Sequence, residues 1–226
     1  MKIVLTLLFA VFAIQTQAAP TFGTASVAPM TAIIGTPTLV TVRASITDPT
    51  LIANSVNLIQ INADGTTTIL GTLHDDGLNG DQYAGDLVFT LQVTLNAASA
   101  SQVQLEVSAA FKGTLARVKS QVMSVYFQSA NAPQQALTSL GRSLSSGDTK
   151  TALTYINASS NAVNSINTLK QAGLNVLATC VSTAVLVSSS VDSLIFQCPV
   201  TTPSGIANME FDMVPGPNGQ WVINSW

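Results

Sequence analysis

Apolar and polar residues alternate along much of the chain between residues 26 and 127. In residues 87–95 every second position is apolar, and threonine, glutamine or valine fills the positions between. Because successive side chains of a strand point to opposite faces of a sheet, this segment is predicted to be a half-buried strand. The same alternation predicts strands at 40–46 and 103–111, and shorter β patterns occur at 56–61, 66–70, 115–119 and 122–127.

Turn residues separate these short strands, and Asp64-Gly65 between two of them is a hairpin signal. About seven strands with turns between them over roughly 100 residues are typical of a β-sandwich of immunoglobulin type. We therefore predict an all-β, Ig-like sandwich over residues 20–128.

The hydrophobic period changes from two to about 3.6 at residues 129–133, which marks a domain boundary. A leucine stripe at helical spacing precedes Gly147, Asp148 is placed to cap a second helix, and helical spacing continues up to Gly173. After Cys180 the pattern returns to strands, at 184–187, 191–200, 207–214 and 220–226. This order predicts a smaller α+β module over residues 132–226, with helices first and an antiparallel sheet afterwards.

The first residues predict a cleavable signal peptide at 1–18. Lys2 precedes an apolar run of 12 residues, 3–14, which is shorter than the ~20 residues that span a bilayer. Small residues at Thr16 and Ala18 place cleavage after Ala18. We expect an exported protein, periplasmic or extracellular, with no membrane span in the mature chain.

Charged residues make up only 8% of the chain, against ~25% in an average protein. The net charge is −3, and removal of Lys2 with the leader makes it −4. Such a surface has no basic patch, so nucleic-acid binding through release of counterions is excluded.

The two cysteines, Cys180 and Cys198, lie in the predicted α+β module. An even count in an exported chain favours a disulfide between them. Two buried thiols are the alternative, because free cysteine is readily buried.

Four of the eleven acidic residues lie within the 12 positions from Asp75 to Asp86. Side-chain oxygens with glycines between them are what calcium prefers, and the predicted ligand set is Asp75, Asp76, Asn79, Asp81 and Asp86. The spacing is not that of an EF-hand. In the alternative interpretation, these side chains accept hydrogen bonds from the backbone of their own turn and need no ion.

The segment from Leu73 to Thr90, LHDDGLNGDQYAGDLVFT, resembles a motif of exported bacterial Ig-like domains of the choice-of-anchor type, LxDDGxxGDxxAGDGxYT. The resemblance covers most of residues 20–127 and departs at Leu87, where that family has glycine. It implies a surface or secreted module without catalysis.

The C-terminal part resembles the cone-shaped fold of the nuclear-transport-factor-two-like superfamily. Two segments carry the resemblance, Leu144-Ser-Ser-Gly-Asp148 and the ending Gly219-Gln-Trp-Val-Ile223. Enzymes of that superfamily place histidine or acidic residues inside the cone. The only histidine here is His74, in the other predicted domain, and no nucleophile or phosphate-loop motif accompanies it. We expect no catalytic residues and no cofactor other than calcium.

The function expected from these observations is a non-catalytic, exported accessory or surface-interaction protein whose partner is an unidentified protein or surface glycan. The alternative is a carrier that holds a small apolar ligand in the C-terminal module, among Tyr155, Phe196, Phe211 and Trp221. A hydrolase without its usual signature comes third.

Overall fold

The structure is a computed structural model that describes residues 20, 22–190, 192–202 and 205–226. The predicted signal peptide at 1–18 lies outside the described residues. Within them, nine strands are followed by four helices and then by four more strands. The prediction of a β-rich chain with several sheets and a few helices is confirmed.

The first nine strands form two sheets. The smaller has the order β1-β3-β6, and the larger has the order β2-β9-β7-β4-β5 with β8 beside β7. β2 and β9 are parallel, and the other pairs are antiparallel. The bounds are β1 Ala25–Ala28, β2 Thr31–Ile33, β3 Thr38–Ser45, β4 Asn57–Ile61, β5 Thr67–Thr72, β6 Val88–Leu95, β7 Ser101–Ala109, β8 Val118–Lys119 and β9 Met123–Gln128.

The alternation seen in the sequence decides which face of each strand is buried. On β3, Val40 and Val42 are fully buried while Arg43 between Val42 and Ala44 is exposed. Leu105 and Val125 of the larger sheet are equally buried, and one apolar cluster contains residues of both sheets. The two sheets therefore pack face to face, and each buried valine or leucine contributes about 1.5–3 kcal/mol.

Four helices follow, α1 Ala132–Ser145, α2 Thr149–Leu153, α3 Ala162–Thr168 and α4 Gln171–Thr183. The leucine stripe of α1 is fully buried. Asp148 caps α2, as expected, and its carboxylate accepts a hydrogen bond of 3.0 Å from the Thr151 amide. Gly141 of α1 lies so close to Ser182 of α4 that a Cβ would collide with it, so glycine permits the close approach of these helices.

The predicted end of the helical region at Gly173 is wrong. The chain is extended at Leu169 and Lys170, and Gly173 lies inside α4. The apolar residues of α4 that follow it, Leu174, Leu177, Ala178 and Val181, are buried. Their burial outweighs the cost of about 1 kcal/mol for glycine inside a helix.

The last four strands form an antiparallel sheet in chain order, β10 Val185–Ser189, β11 Leu194–Thr202, β12 Gly205–Pro215 and β13 Trp221–Ser225. Phe196 and Phe211 stack with ring centroids 5.9 Å apart and pack with the helices in a second apolar cluster. The predicted disulfide is present, and Cys180 and Cys198 join α4 to β11 across a Cα–Cα distance of 5.2 Å.

The two apolar clusters draw on different parts of the chain. One contains buried residues between 25 and 127, and the other contains buried residues between 136 and 223. Polar contacts join the two parts, since the Tyr126 hydroxyl donates to the Pro217 carbonyl at 2.7 Å and the Met30 amide donates to Asp192 at 3.0 Å. The division into domains at 20–128 and 132–226 stays a prediction.

Within the part of the chain that the structure describes, we find no helix with the length and apolar character needed to cross a membrane.

Candidate functional site

The acidic segment forms a long loop between β5 and β6 and folds back over the outer face of the smaller sheet. The His74 amide donates to the Thr90 carbonyl at 3.0 Å, and the Thr90 amide donates to the His74 carbonyl at 2.7 Å. Arg43 of β3 donates to the Gly80 carbonyl at 3.0 Å. Because Val42 and Ala44 point into the core, Arg43 points outward and is positioned to hold the loop.

Three carboxylates of this loop converge. Each of three residues, Asp75, Asp81 and Asp86, contributes one carboxylate oxygen, and these three oxygens lie within 4.8 Å of one another. Asp81 is only 8% exposed, Asp75 is half-buried and Asp86 is exposed. We name these three residues the acidic cluster.

Asp75 organises the end of the loop through three backbone hydrogen bonds. Its Oδ1 accepts from the amides of Gly85 at 2.6 Å and Asp86 at 3.1 Å, and its Oδ2 accepts from Leu87 at 3.0 Å. A carboxylate has about four acceptor positions, so the turn itself uses most of the capacity of Asp75. These bonds are the contacts expected of the hydrogen-bonded turn.

Asp81 and Asp86 keep more of their acceptor capacity. Asp81 accepts from the Gly77 amide at 2.7 Å through Oδ2, and Asp86 accepts from the Val88 amide at 2.9 Å through Oδ1. Among the described residues, the second oxygen of each has no hydrogen bond. Both residues therefore keep acceptor positions that a cation could use.

The electrostatics of the acidic cluster favour a cation. Two like charges about 5 Å apart repel by about 1 kcal/mol in water, and by more where water is excluded, as around Asp81. Backbone amides offset part of this repulsion. Calcium takes 6–8 oxygen ligands, so three carboxylates would be completed by carbonyl oxygens and water.

Asp76 and Asn79 complete the predicted ligand set. Asp76 is exposed, and its carboxylate accepts from the Leu78 amide at 2.9 Å, outside the acidic cluster. Asn79 is exposed, with a left-handed backbone at φ 52°. The structure thus brings together three of the four predicted aspartates, and the calcium ligand set, Asn79 included, stays a prediction.

The prediction that Leu87 belongs to the strand and to its buried face is wrong. Leu87 precedes β6, its side chain is 44% exposed, and its φ is 66°. Its amide is bonded to Asp75 and its carbonyl accepts from the Ile46 amide at 3.0 Å. These two bonds hold the residue in a left-handed conformation that glycine adopts more easily.

Sequence reasoning missed Thr90 and Gln92, which lie beneath the loop. Thr90 is 3% exposed, and within the described chain its hydroxyl has no hydrogen-bond partner. Gly80 sits on Gln92, where a Cβ would come within 2.6 Å of the Gln92 amide nitrogen. Their position on the polar face of residues 87–95 was a signal, but nothing in the sequence indicates that a loop covers that face.

His74 takes part in this region through its backbone, and its side chain is exposed. Its pairing with Thr90 extends the edge of the smaller sheet by one bridge. The structure therefore gives the residue a structural role at the start of the loop.

A second candidate site is a cavity of about 400 Å³ where the C-terminal sheet meets β2 and the start of α1. Its apolar wall is formed by Ile33, Leu186, Leu194, Phe196 and Trp221. Gln128 also lines it, and the side-chain nitrogen of Gln128 is buried without a hydrogen-bond partner in the described residues. None of the lining residues carries a charge, so the cavity fits a neutral, largely apolar molecule.

The four aromatic residues expected around an apolar ligand have different surroundings. Phe211 is 1% exposed and belongs to the packed core, whereas Phe196 and Trp221 belong to that core and also line the cavity. Tyr155 lines a smaller neighbouring cavity of about 240 Å³ that shares Gln128 and Trp221.

A scan against protein-family models and a search of the curated proteins each found no match to the chain.

Proposed function

We propose that the chain is a non-catalytic, exported accessory or surface-interaction protein with a calcium-stabilised loop. The observation that carries the proposal is the convergence of Asp75, Asp81 and Asp86 on a loop fixed to the outer face of a sheet. Every carboxylate of the acidic cluster accepts a hydrogen bond from a backbone amide of the loop or of the residues that follow it. That arrangement shapes a rigid surface, which is what a binding module presents.

An immunoglobulin-like topology of the two N-terminal sheets is part of this proposal, as is the likeness to the exported bacterial choice-of-anchor domains. The face-to-face packing of the two sheets in one cluster supports it. For the C-terminal part, helices packed on one face of an antiparallel sheet support the cone-like fold. Export is proposed from the signal-peptide pattern and is consistent with paired cysteines.

Thermal unfolding with and without calcium tests the loop. We expect 2 mM calcium to raise the melting temperature of the wild-type chain because a ligand that binds only the folded state stabilises it. Asp81→Ala is expected to abolish this rise. Asp76→Ala is the matched control and is expected to keep it, since Asp76 lies outside the acidic cluster.

A second candidate function is transport of a small apolar ligand, and the uncharged cavity beside Phe196 and Trp221 favours it. A neutral fluorescent probe, N-phenyl-1-naphthylamine, is expected to bind the wild-type chain and to bind less well to Ile33→Lys. Ile33 lines the cavity and is 48% exposed, so lysine there is tolerated by the fold. Ile69→Lys is the control because Ile69 is 64% exposed and does not line the cavity.

Purification of the mature chain from its natural source separates the two functions. A protein or glycan that is retained with calcium and released by a chelator supports the interaction role. An apolar molecule that is extracted only by organic solvent supports the carrier role. Turnover of a substrate by the purified chain would contradict both.

A further inference from the structure

Two residues with hydrogen-bond donors, Gln128 and Trp221, line the cavity of about 400 Å³ where the C-terminal sheet meets β2 and the start of α1. Both also line the neighbouring cavity of about 240 Å³. Gln128 is the last residue of β9, and Trp221 is the first residue of β13. The two side chains therefore belong to the wall that the two cavities share.

Neither donor has an acceptor in the described part of the chain. The side-chain nitrogen of Gln128 is enclosed and has no hydrogen-bond partner there. Trp221 is only 7% exposed, and its indole N–H has no hydrogen bond to any described residue either. Buried tryptophan usually finds a partner for its N–H, because an unpaired donor kept away from water costs free energy. Two such donors in one wall indicate that a molecule in the cavity supplies the acceptor.

The indole N–H of Trp221 decides the chemistry of the missing partner. A glutamine amide can turn to present either its oxygen or its nitrogen, whereas indole only donates, so the partner atom is an acceptor. A carboxylate or phosphate group is disfavoured, because a buried charge needs a counter-charge and no described residue that lines either cavity is lysine, arginine or histidine. The acceptor therefore belongs to a neutral group.

The rest of the larger cavity suits the apolar part of the same molecule. Ile33 of β2 lies on one side of the cavity, and Leu194 and Phe196 of β11 lie on the other. The volume of about 400 Å³ is within the range of small-molecule sites, in which apolar walls supply affinity and a few polar groups fix the orientation of the ligand.

We propose that this cavity selects neutral, apolar molecules that carry a carbonyl oxygen, as ketones and esters do, and that the oxygen accepts from Gln128 and Trp221. The proposal rests on the carrier function and names the class of ligand for it. A carbonyl oxygen has two lone pairs, so it accepts from both donors at once. A hydrocarbon of the same shape leaves both donors unpaired, and a site built on hydrogen bonds discriminates against such an analogue.

Benzophenone and diphenylmethane test the proposal, because both have two phenyl rings and they differ only in the C=O or CH₂ group between the rings. Each compound is titrated into the chain loaded with N-phenyl-1-naphthylamine, and the loss of probe fluorescence gives its dissociation constant. The measured quantity is the affinity for the ketone divided by the affinity for the hydrocarbon. Gln128→Leu is expected to lower this ratio about tenfold, since it removes one hydrogen bond to the ketone alone. Trp221→Phe keeps an aromatic ring without the N–H and is expected to lower the ratio as well.

Gln104→Leu is the matched control, because Gln104 is exposed on β7, the strand next to β9, and lines neither cavity. It is expected to keep the wild-type ratio. Melting temperatures establish that each variant is folded, and Gln128→Met replaces Gln128→Leu if the latter is not. A ratio that neither cavity substitution lowers overturns the proposal and leaves the carrier function standing. A wild-type chain that binds none of the three compounds contradicts the carrier function and the proposal together.

Discussion

Replacing Asp75 with alanine removes the acceptor of three backbone hydrogen bonds that close the acidic loop. The amides of Gly85, Asp86 and Leu87 donate to this one carboxylate at 2.6–3.1 Å. A hydrogen bond to a charged group contributes about 1.5–3 kcal/mol. Because Gly85, Asp86 and Leu87 are exposed, water replaces part of the loss, and we expect Asp75→Ala to lower the free energy of unfolding by about 2–3 kcal/mol in total.

Urea unfolding at pH 7 in a chelator measures this loss without any contribution from a cation. Asp75→Asn is expected to lower the free energy of unfolding by less than Asp75→Ala does. Its side-chain oxygen still accepts from the Gly85 and Asp86 amides, and only the bond from the Leu87 amide is lost, because an NH₂ group cannot accept it. Asp76→Ala is the control and is expected to lower the free energy of unfolding by only about 0.5–1 kcal/mol, because a single exposed amide, that of Leu78, donates to Asp76. An Asp75→Ala variant as stable as Asp76→Ala would refute this account of how the loop is held.

Three further predictions concern the rest of the chain. Leu87→Gly is expected to raise the free energy of unfolding by about 1 kcal/mol in urea titrations, since φ 66° is strained for leucine; a loss of stability would show that the leucine side chain matters more than its backbone. The free energy of unfolding of the double variant Cys180→Ser/Cys198→Ser is expected to be about 3 kcal/mol lower than that of the oxidised wild type, which is the chain-entropy value for a loop of this size. Equal stability of that variant and the oxidised wild type would argue against the prediction. The Thr50 and Thr66 hydroxyls donate to Asp48 and Asp64 at 2.6 and 2.7 Å and, with the backbone amides of the same threonines, lower the pKa of each carboxyl from its ordinary 3.8. The stabilisation is complete above the unfolded pKa and is lost as pH falls through the lower folded values. The urea midpoint of wild type is therefore expected to fall more between pH 5 and pH 2 than that of Asp48→Asn/Asp64→Asn, and parallel curves would contradict this.

The strands were predictable from sequence because their pattern is local. Alternation at 40–46 and 103–111 located β3 and β7 to within about two residues at each end, and the buried valines of β3 lie at the alternating positions. At Leu87 the alternation misled, because hydrogen bonds from the acidic loop fix that residue before the strand begins. At Gly173 the weak helix propensity of glycine misled, because tertiary burial of the residues around it decided the structure.

The acidic cluster was partly predictable, because its members belong to one short segment. The sequence does not show that Asp75 points to the far end of the loop while its neighbour Asp76 bonds only Leu78. The cavity was less predictable still, since it brings Ile33 beside Trp221, nearly 190 residues later in the chain. No local sequence pattern predicts a contact between residues so far apart in the chain.

The central claim is that the three converging carboxylates hold calcium, and a calorimetric titration of the mature chain with calcium tests it most directly. The account predicts saturable binding to one site per chain in the wild type, no binding to Asp81→Ala, and unchanged binding to Asp76→Ala. A flat titration of the wild-type chain at millimolar calcium would contradict it, and the loop would then be a turn held by its own hydrogen bonds.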